Sequence, residues 1–339
     1  MSPGRGTKVR FLIAGLGSAG RRHLRNLLAL GERDIVLYRT GRSTLPDDEL
    51  AGLPVETSLD AALEHKPDAV IVANPTALHL DVAVPAARAG CHLLIEKPLS
   101  HTLEGVAELE AAVGKGVRIL IGFQYRFHPG LQAVRRWVHE EAVGPALFAR
   151  AHYGDYLPGW HPWEDYRSSY SARPELGGGA ILTLCHPIDY LIWTLGGPVV
   201  RWAEARLAPQ LDIQVESVAE IGLDFPNGVL ASIHLDLIQQ PADHHLEILC
   251  PDGTLRWNQA DGCARLFRGG SHTAVEELRF RGFGRDDMFL EEMRHFLAVV
   301  RSEADPTCSL EDGIRSLAVL LSARELAEAS RVRRGAQQT

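Results

Sequence analysis

The stretch IAGLGSAGRRH places glycines at 15, 17 and 20, a spacing that asks what must come so close to the backbone. It follows an apolar run and opens a helical pattern. In that context Gly15 makes a tight turn, Gly17 lets a pyrophosphate approach, and Gly20 lets helix and strand pack closely. Phosphates would meet the N–H groups of Ser18, Ala19 and Gly20 at the positive end of a helix dipole. The stretch therefore reads as a dinucleotide site. The acid that usually holds the adenosine ribose about twenty residues further on is missing. Instead the chain reads VLYRTGRS, with Tyr38, Arg39, Thr40, Arg42 and Ser43. Two guanidinium groups and two hydroxyls suit a 2′-phosphate, so NADP is expected. The alternative is NAD held without a carboxylate, beside a basic loop that is merely solvated.

A second set of residues sits where later strands should end. HLLIEKPL offers Glu96 and Lys97 before Pro98, and ANPTALH offers Asn74, Pro75, Thr76 and His79. In an open α/β sheet, ligands bind beyond the carboxyl ends of the strands, so Lys97 would meet the working end of the cofactor. The Lys-Pro step would also fix the turn. Further on, GGGAILTLCHPID runs from Gly177 to Asp189. A helix there would place Thr183, His186 and Asp189 on one face, and the ordinary pKa of an imidazole suits proton exchange near neutral pH.

These groups need a scaffold, and the first third of the chain supplies one. Short, mostly apolar runs at 9–14, 35–38, 69–73, 92–95 and 118–121 alternate with helical patterns, which argues for a parallel sheet covered on both faces. Beyond Gly144, strand-like runs at 146–153, 219–224, 229–237 and 245–249 are joined by turn chemistry such as Pro226-Asn227-Gly228. At 339 residues the chain exceeds one compact core. A dinucleotide-binding domain over 1–125 and a substrate domain over 126–339 are expected.

The glycine fingerprint, N-P-T, E-K-P and GGGAILTLCHPID in combination resemble the Gfo/Idh/MocA family, whose members include glucose-fructose oxidoreductase and inositol dehydrogenase. The likeness spans nearly the whole chain. It implies a Rossmann domain followed by an α+β domain on a large, mostly antiparallel open sheet, with dimers or tetramers made through the outer sheet face. It implies that Lys97 orients a reacting hydroxyl beside the nicotinamide and that His186 is the acid/base. The family pattern often has an Asp four residues before that histidine. Here Leu182 stands there, with Thr183 next, which leaves Asp189 to substitute for that charge, or Lys97 or a tyrosine to carry the proton transfer instead.

Between these motifs lies YGDYLPGWHPWEDYRSSYSAR, rich in aromatics. Tyr153, Trp160, Trp163 and Arg167 are expected to stack on and hydrogen-bond a sugar; the alternative is an arm on a neighbouring subunit. Gln124, Tyr125, Arg126 and His128 are placed to wall the cleft, with Thr183 and Asp189 beside them.

The composition narrows the partners. Lys plus Arg number 35 against 43 Asp plus Glu, a net charge of −8 that gives no surface for nucleic acid. Five cysteines, with no C-x-x-C, fit reduced thiols in the cytosol. The apolar run after Arg5, Lys8 and Arg10 is broken by glycines, which makes it a strand and not a signal peptide. No apolar stretch is long enough to span a membrane, and the spacing of His and Cys shows no metal set. The reading is an NADP-preferring oxidoreductase, NAD remaining open, that moves a hydride between nicotinamide and a ring carbinol or ketone of a sugar or cyclitol. Its rivals are a hydrolase using transient oxidation by bound NAD and a non-catalytic cofactor sensor.

Overall fold

The computed structural model describes residues 8–41 and 45–337, so Arg42 and Ser43 fall outside the described residues. The elements run β1 (Phe11–Ala14), α1 (Ser18–Ala29), β2 (Ile35–Tyr38), β3 (Val55–Glu56), α2 (Leu59–Glu64), β4 (Ala69–Val72), α3 (His79–Arg88), β5 (His92–Glu96), α4 (Val106–Val113) and β6 (Ile119–Gly122). Next come α5 (Pro129–His139), β7 (Phe148–Gly154), α6 (Ala180–Thr183), α7 (His186–Leu195), β8 (Val199–Arg206), β9 (Val218–Asp224), β10 (Leu230–Asp236) and β11 (Asp243–Cys250). The chain ends with β12 (Gly253–Asn258), β13 (Cys263–Arg268), β14 (Glu276–Arg279), α8 (Arg285–Val300) and α9 (Leu310–Gln337).

The chain forms two compact units, one of Met1–Gly122 with Arg285–Leu310, the other of Phe123–Gly284 with Glu311–Thr339. The single cut expected after residue 125 therefore misses a return. Helix α8 packs against α1 because Met288, Phe289, Met293, Phe296 and Leu297 need an apolar surface to cover them.

In the first unit the strand order is β3-β2-β1-β4-β5-β6, and every pairing is parallel. The sequences FLIA, AVIV and ILIG are buried at every position, as strands covered on both faces require. This is the doubly wound order in which the ligand crevice opens beyond the ends of β1 and β4.

The second unit carries an eight-stranded sheet, β14-β13-β12-β11-β7-β10-β9-β8. Only β7 and β10 pair in parallel within it; the other neighbours are antiparallel. Burial alternates along these strands, as in LASIHLD of β10, so one face packs under α5, α6 and α7 and the other is more open. The aromatic segment forms no long element. It folds as short 3-10 turns at Leu157–Gly159, Tyr166–Ser168, Tyr170–Ala172 and Pro174–Leu176.

Candidate active site

The glycine fingerprint forms a tight turn between β1 and α1. Gly15 has φ +92°, and a Cβ there would lie 2.5 Å from the Asn74 amide nitrogen, so the turns after β1 and β4 touch. A Cβ on Gly20 would fall 1.8 Å from the Gly15 carbonyl oxygen, whereas one on Gly17 would meet no atom within 4 Å. Helix α1 starts at Ser18, and neither a capping side chain nor an acid in its first turn competes for its N–H groups. The open backbone at Gly17 and a helix start without a side-chain cap fit a dinucleotide pyrophosphate.

Arg39 lies just past β2 and is ion-paired with Asp47. The same carboxylate lies 3.5 Å from Arg21, whose Nε also donates to the Leu16 carbonyl at 3.0 Å. Arg21 thus ties the segment around Asp47 to the glycine loop. Thr40 is exposed beside Arg39.

The turn after β4 holds Asn74, Pro75 and Thr76, with the Asn74 amide donating to the Leu78 carbonyl at 2.7 Å. His79 departs from its expected place in the cofactor site. It is buried, with one ring nitrogen 3.0 Å from the Pro98 carbonyl and the other 3.0 Å from that of Asn74. Burial lowers its pKa. His79 acts on the site by joining the two turns.

Lys97, half-buried at the end of β5, is followed by a cis Lys97-Pro98 bond. Glu96 also differs from expectation, because its carboxylate is turned inward. One oxygen lies 2.8 Å from His23 Nε2 and the other accepts the Lys97 N–H at 3.3 Å. Burial pushes the Glu96 carboxyl up, but the hydrogen bond and charge of His23, with Lys97, outweigh it and the net shift is downward.

In the second unit, the helix expected to carry Thr183, His186 and Asp189 is broken. Helix α6 ends at Thr183 and α7 begins at His186, with Pro187 in its first turn. The break turns His186 toward an aromatic wall. Its ring centroid lies 4.7 Å from that of Tyr125 and 6.2 Å from that of Tyr153. Gln124 Nε2 is 3.3 Å from His186 Nε2.

The wall is backed by His244, which sequence reasoning missed. Its ring stacks on Tyr153 at 4.0 Å, and its nitrogens lie 3.2 Å from the Tyr125 hydroxyl and 3.5 Å from that of Tyr190. Burial drives its pKa well down, so it stays neutral and fixes both phenols. The signal for it was the pair His244-His245 in β11, which strand alternation sends to opposite faces.

Arg126 and Asp189 are corrected as substrate contacts. Both side chains are 1 % exposed and pair at 2.7 Å, with a second contact at 3.1 Å from Arg126 Nε. Asp189 is therefore committed to Arg126 and cannot stand in for the missing Asp beside His186. His128 is likewise no wall residue. It is fully buried and its Nδ1 caps α5 by accepting the Gly130 N–H at 3.0 Å. Thr183 is buried. In the aromatic segment Trp163 is 55 % exposed and lies 4.9 Å from the His161 ring. Trp160 is half-buried, and Arg167 is held by Asp165 at 2.8 Å.

A doubly wound sheet with an open Gly17 after its first strand is the arrangement of a dinucleotide-binding domain. The comparisons agree. Residues 9–123 match the family model for the oxidoreductase NAD-binding Rossmann fold, and 131–256 match the GFO/IDH/MocA C-terminal domain. The chain belongs to the Gfo/Idh/MocA family. It is 27 % identical over 296 residues to the 1,5-anhydro-D-fructose reductase of Ensifer adhaerens, covering 83 % of this chain and 80 % of that one. It is 25 % identical to D-xylose 1-dehydrogenase (NADP(+)) 2 of Haloferax volcanii, over 85 % and 86 % of the two chains. The fold matches a levoglucosan dehydrogenase solved with NADH and levoglucosan, at TM-score 0.82 and 18 % identity, covering 95 % and 97 %.

Proposed function

We propose that this chain oxidises a ring carbinol of a sugar, cyclitol or sugar derivative, or reduces the matching ketone, with NADP preferred over NAD. The observation that carries the reading is Lys97, at the end of β5, in the same parallel sheet whose β1 turn leaves Gly17 open. Ser18, Ala19 and Gly20 would hold the pyrophosphate, Arg39 with Thr40 and Arg42 the 2′-phosphate, and the Asn74-Pro75-Thr76 turn the nicotinamide half. When bound, the cofactor takes or gives the hydride at nicotinamide C4.

Lys97 donates a hydrogen bond to the substrate oxygen and holds the hydroxyl in line. In oxidation His186 takes the hydroxyl proton, and in reduction it returns one to the carbonyl oxygen. Tyr125 and Tyr153, fixed by His244, keep the imidazole oriented without a carboxylate partner at residue 182. Trp160, Trp163 and Arg167 form an aromatic lid suited to C–H faces and hydroxyls. The names of the relatives support the substrate class. We place the chain in a homodimer or homotetramer.

The test is a panel of sugars and cyclitols assayed with both cofactors by nicotinamide absorbance, together with Lys97→Met and His186→Ala. Each variant should keep cofactor affinity and lose about a hundredfold to ten-thousandfold in kcat. Unchanged turnover in the Lys97→Met enzyme would overturn the reading.

A further inference from the structure

The more open face of the second sheet carries a row of side chains that the reaction does not use. In register across neighbouring strands stand Glu220 of β9, His234 of β10, His152 of β7 and His245 of β11. The three imidazoles stack, His152 lying 4.6 Å from His234 and 5.1 Å from His245 between ring centroids. Asp236, two residues along β10 from His234, is buried, and its Oδ2 lies 3.0 Å from His234 Nε2.

We propose that His152, His234 and Asp236 form a structural site for a first-row divalent metal of the zinc class. Each offers one donor atom, and the three donors lie within 4.8 Å of one another. Two imidazoles and a carboxylate, with a fourth position left to water, are a zinc-type N/O set.

The surroundings prepare each ligand. The Glu220 carboxylate holds His234 Nδ1 at 2.6 Å, which leaves Nε2 facing Asp236. A carboxylate on the far ring nitrogen is the usual way a metal-binding histidine is oriented. Asp236 Oδ1 accepts the Ile238 N–H at 2.8 Å, so Oδ2 remains for the metal. Residue 154, opposite on β7, is glycine, and a Cβ there would sit 2.3 Å from that same Oδ2. His152 Nε2 is buried and makes no hydrogen bond.

The metal replaces the proton that now bridges His234 and Asp236. Bonds of about 2.0 Å require the donors to close to roughly 3.3 Å, and a turn of the His152 ring out of its stack, about a torsion with broad wells, supplies that closure. The ion would pin β7 to β10, the one parallel pair in this sheet. Tyr153, the residue after His152, points to the opposite face, toward His186. Sequence spacing hid this set because strand pairing, not proximity along the chain, brings residue 152 to residue 234.

The experiment uses the full chain stripped with chelator and titrated with Zn2+ by calorimetry, with the Co2+ visible spectrum as a second reading. The native chain should bind one equivalent. His152→Gln and Asp236→Asn should each weaken binding by about tenfold or more, while His245→Gln, in the stack but outside the donor set, keeps the native affinity. Zn2+ should raise the thermal midpoint of the native chain and not that of His234→Gln. If Asp236→Asn does not fold, His152→Gln decides. No stoichiometric binding, native affinity in His152→Gln, or an equal loss in His245→Gln would overturn the proposal.

Discussion

His23 Nε2 lies 2.8 Å from Glu96 Oε1 with both side chains almost wholly buried, so the strand end that presents Lys97 is anchored through an internal histidine–carboxylate pair. A third group shares this interior. Glu292 of α8 has zero exposure, and neither carboxyl oxygen makes a hydrogen bond. Burial first, and then the negative charge of Glu96, hold its carboxyl well above the ordinary range. Glu96 carries the charge and Glu292 the proton.

That division gives a pH dependence with a definite sign. The folded chain keeps a proton on Glu292 that the unfolded chain releases above its ordinary value of 4.5. The stability this contributes is complete below that pH and is lost as pH rises through the folded value. Glu292→Gln keeps the shape without the ionisation. Its stability relative to the native chain should therefore grow as pH rises above 4.5 in urea unfolding. Parallel profiles for the two proteins would mean that Glu292 is already charged when folded.

His128 predicts the opposite slope. Burial lowers its pKa from 6.5 to about 4, and its unprotonated Nδ1 is the acceptor that caps α5. Protonation destroys the cap and buries a charge. Its contribution is complete above about pH 6.5 and is lost as pH falls toward and through 4, an effect on the order of 3 kcal/mol for a shift of this size. His128→Asn retains a capping acceptor, so it should be less stable near neutrality from lost packing yet show a shallower decline in acid. An unchanged acid slope would assign that slope to other groups, such as His244.

The Arg126–Asp189 pair separates a structural role from a substrate role. Burial outweighs the attraction of Arg126 and pushes the Asp189 carboxyl up, yet the bidentate contact keeps the pair together. Removing Asp189 strips a buried guanidinium of its bidentate partner, while the contact to Asp312 at 3.2 Å stays. Asp189→Ala should cost about 3–5 kcal/mol of stability. A raised KM with normal unfolding would return Asp189 to the substrate.

The parallel sheet was legible because strands buried on both faces read as continuous apolar runs, and the cradle because each glycine does a separate steric job. The outer strands were harder. VVRWAEAR of β8 and EELR of β14 carry exposed charges on one side, so no apolar run marks them. The expected single helix over Thr183 and His186 failed because its repeat ignored the interruption at Leu184 and Cys185. His23 and Glu292 were invisible for a different reason. Glu96 lies 73 residues from His23 and on another element from Glu292, so only folding shows that these groups meet.

The proposed preference for NADP rests on Arg39, and its present partner shapes the expected result. Its guanidinium is paired with Asp47, and 16 % of its side chain is exposed. A 2′-phosphate must therefore draw Arg39 from a carboxylate that also meets Arg21. The phosphate offers more charge and a bidentate geometry, whereas a ribose hydroxyl offers neither, so only NADP gains from the exchange. Arg39→Ala should weaken NADP binding by about ten- to a hundredfold, the range of a lost charge-assisted bond of roughly 1.5–3 kcal/mol, and leave NAD binding nearly unchanged. Asp47→Asn removes the competing charge and should tighten NADP, provided Arg21 keeps its bond to the Leu16 carbonyl. Both variants would be read by titrating cofactor against protein fluorescence. Equal or tighter NAD binding by the native chain would show that the basic loop after β2 is solvated and that the ribose is held without a phosphate.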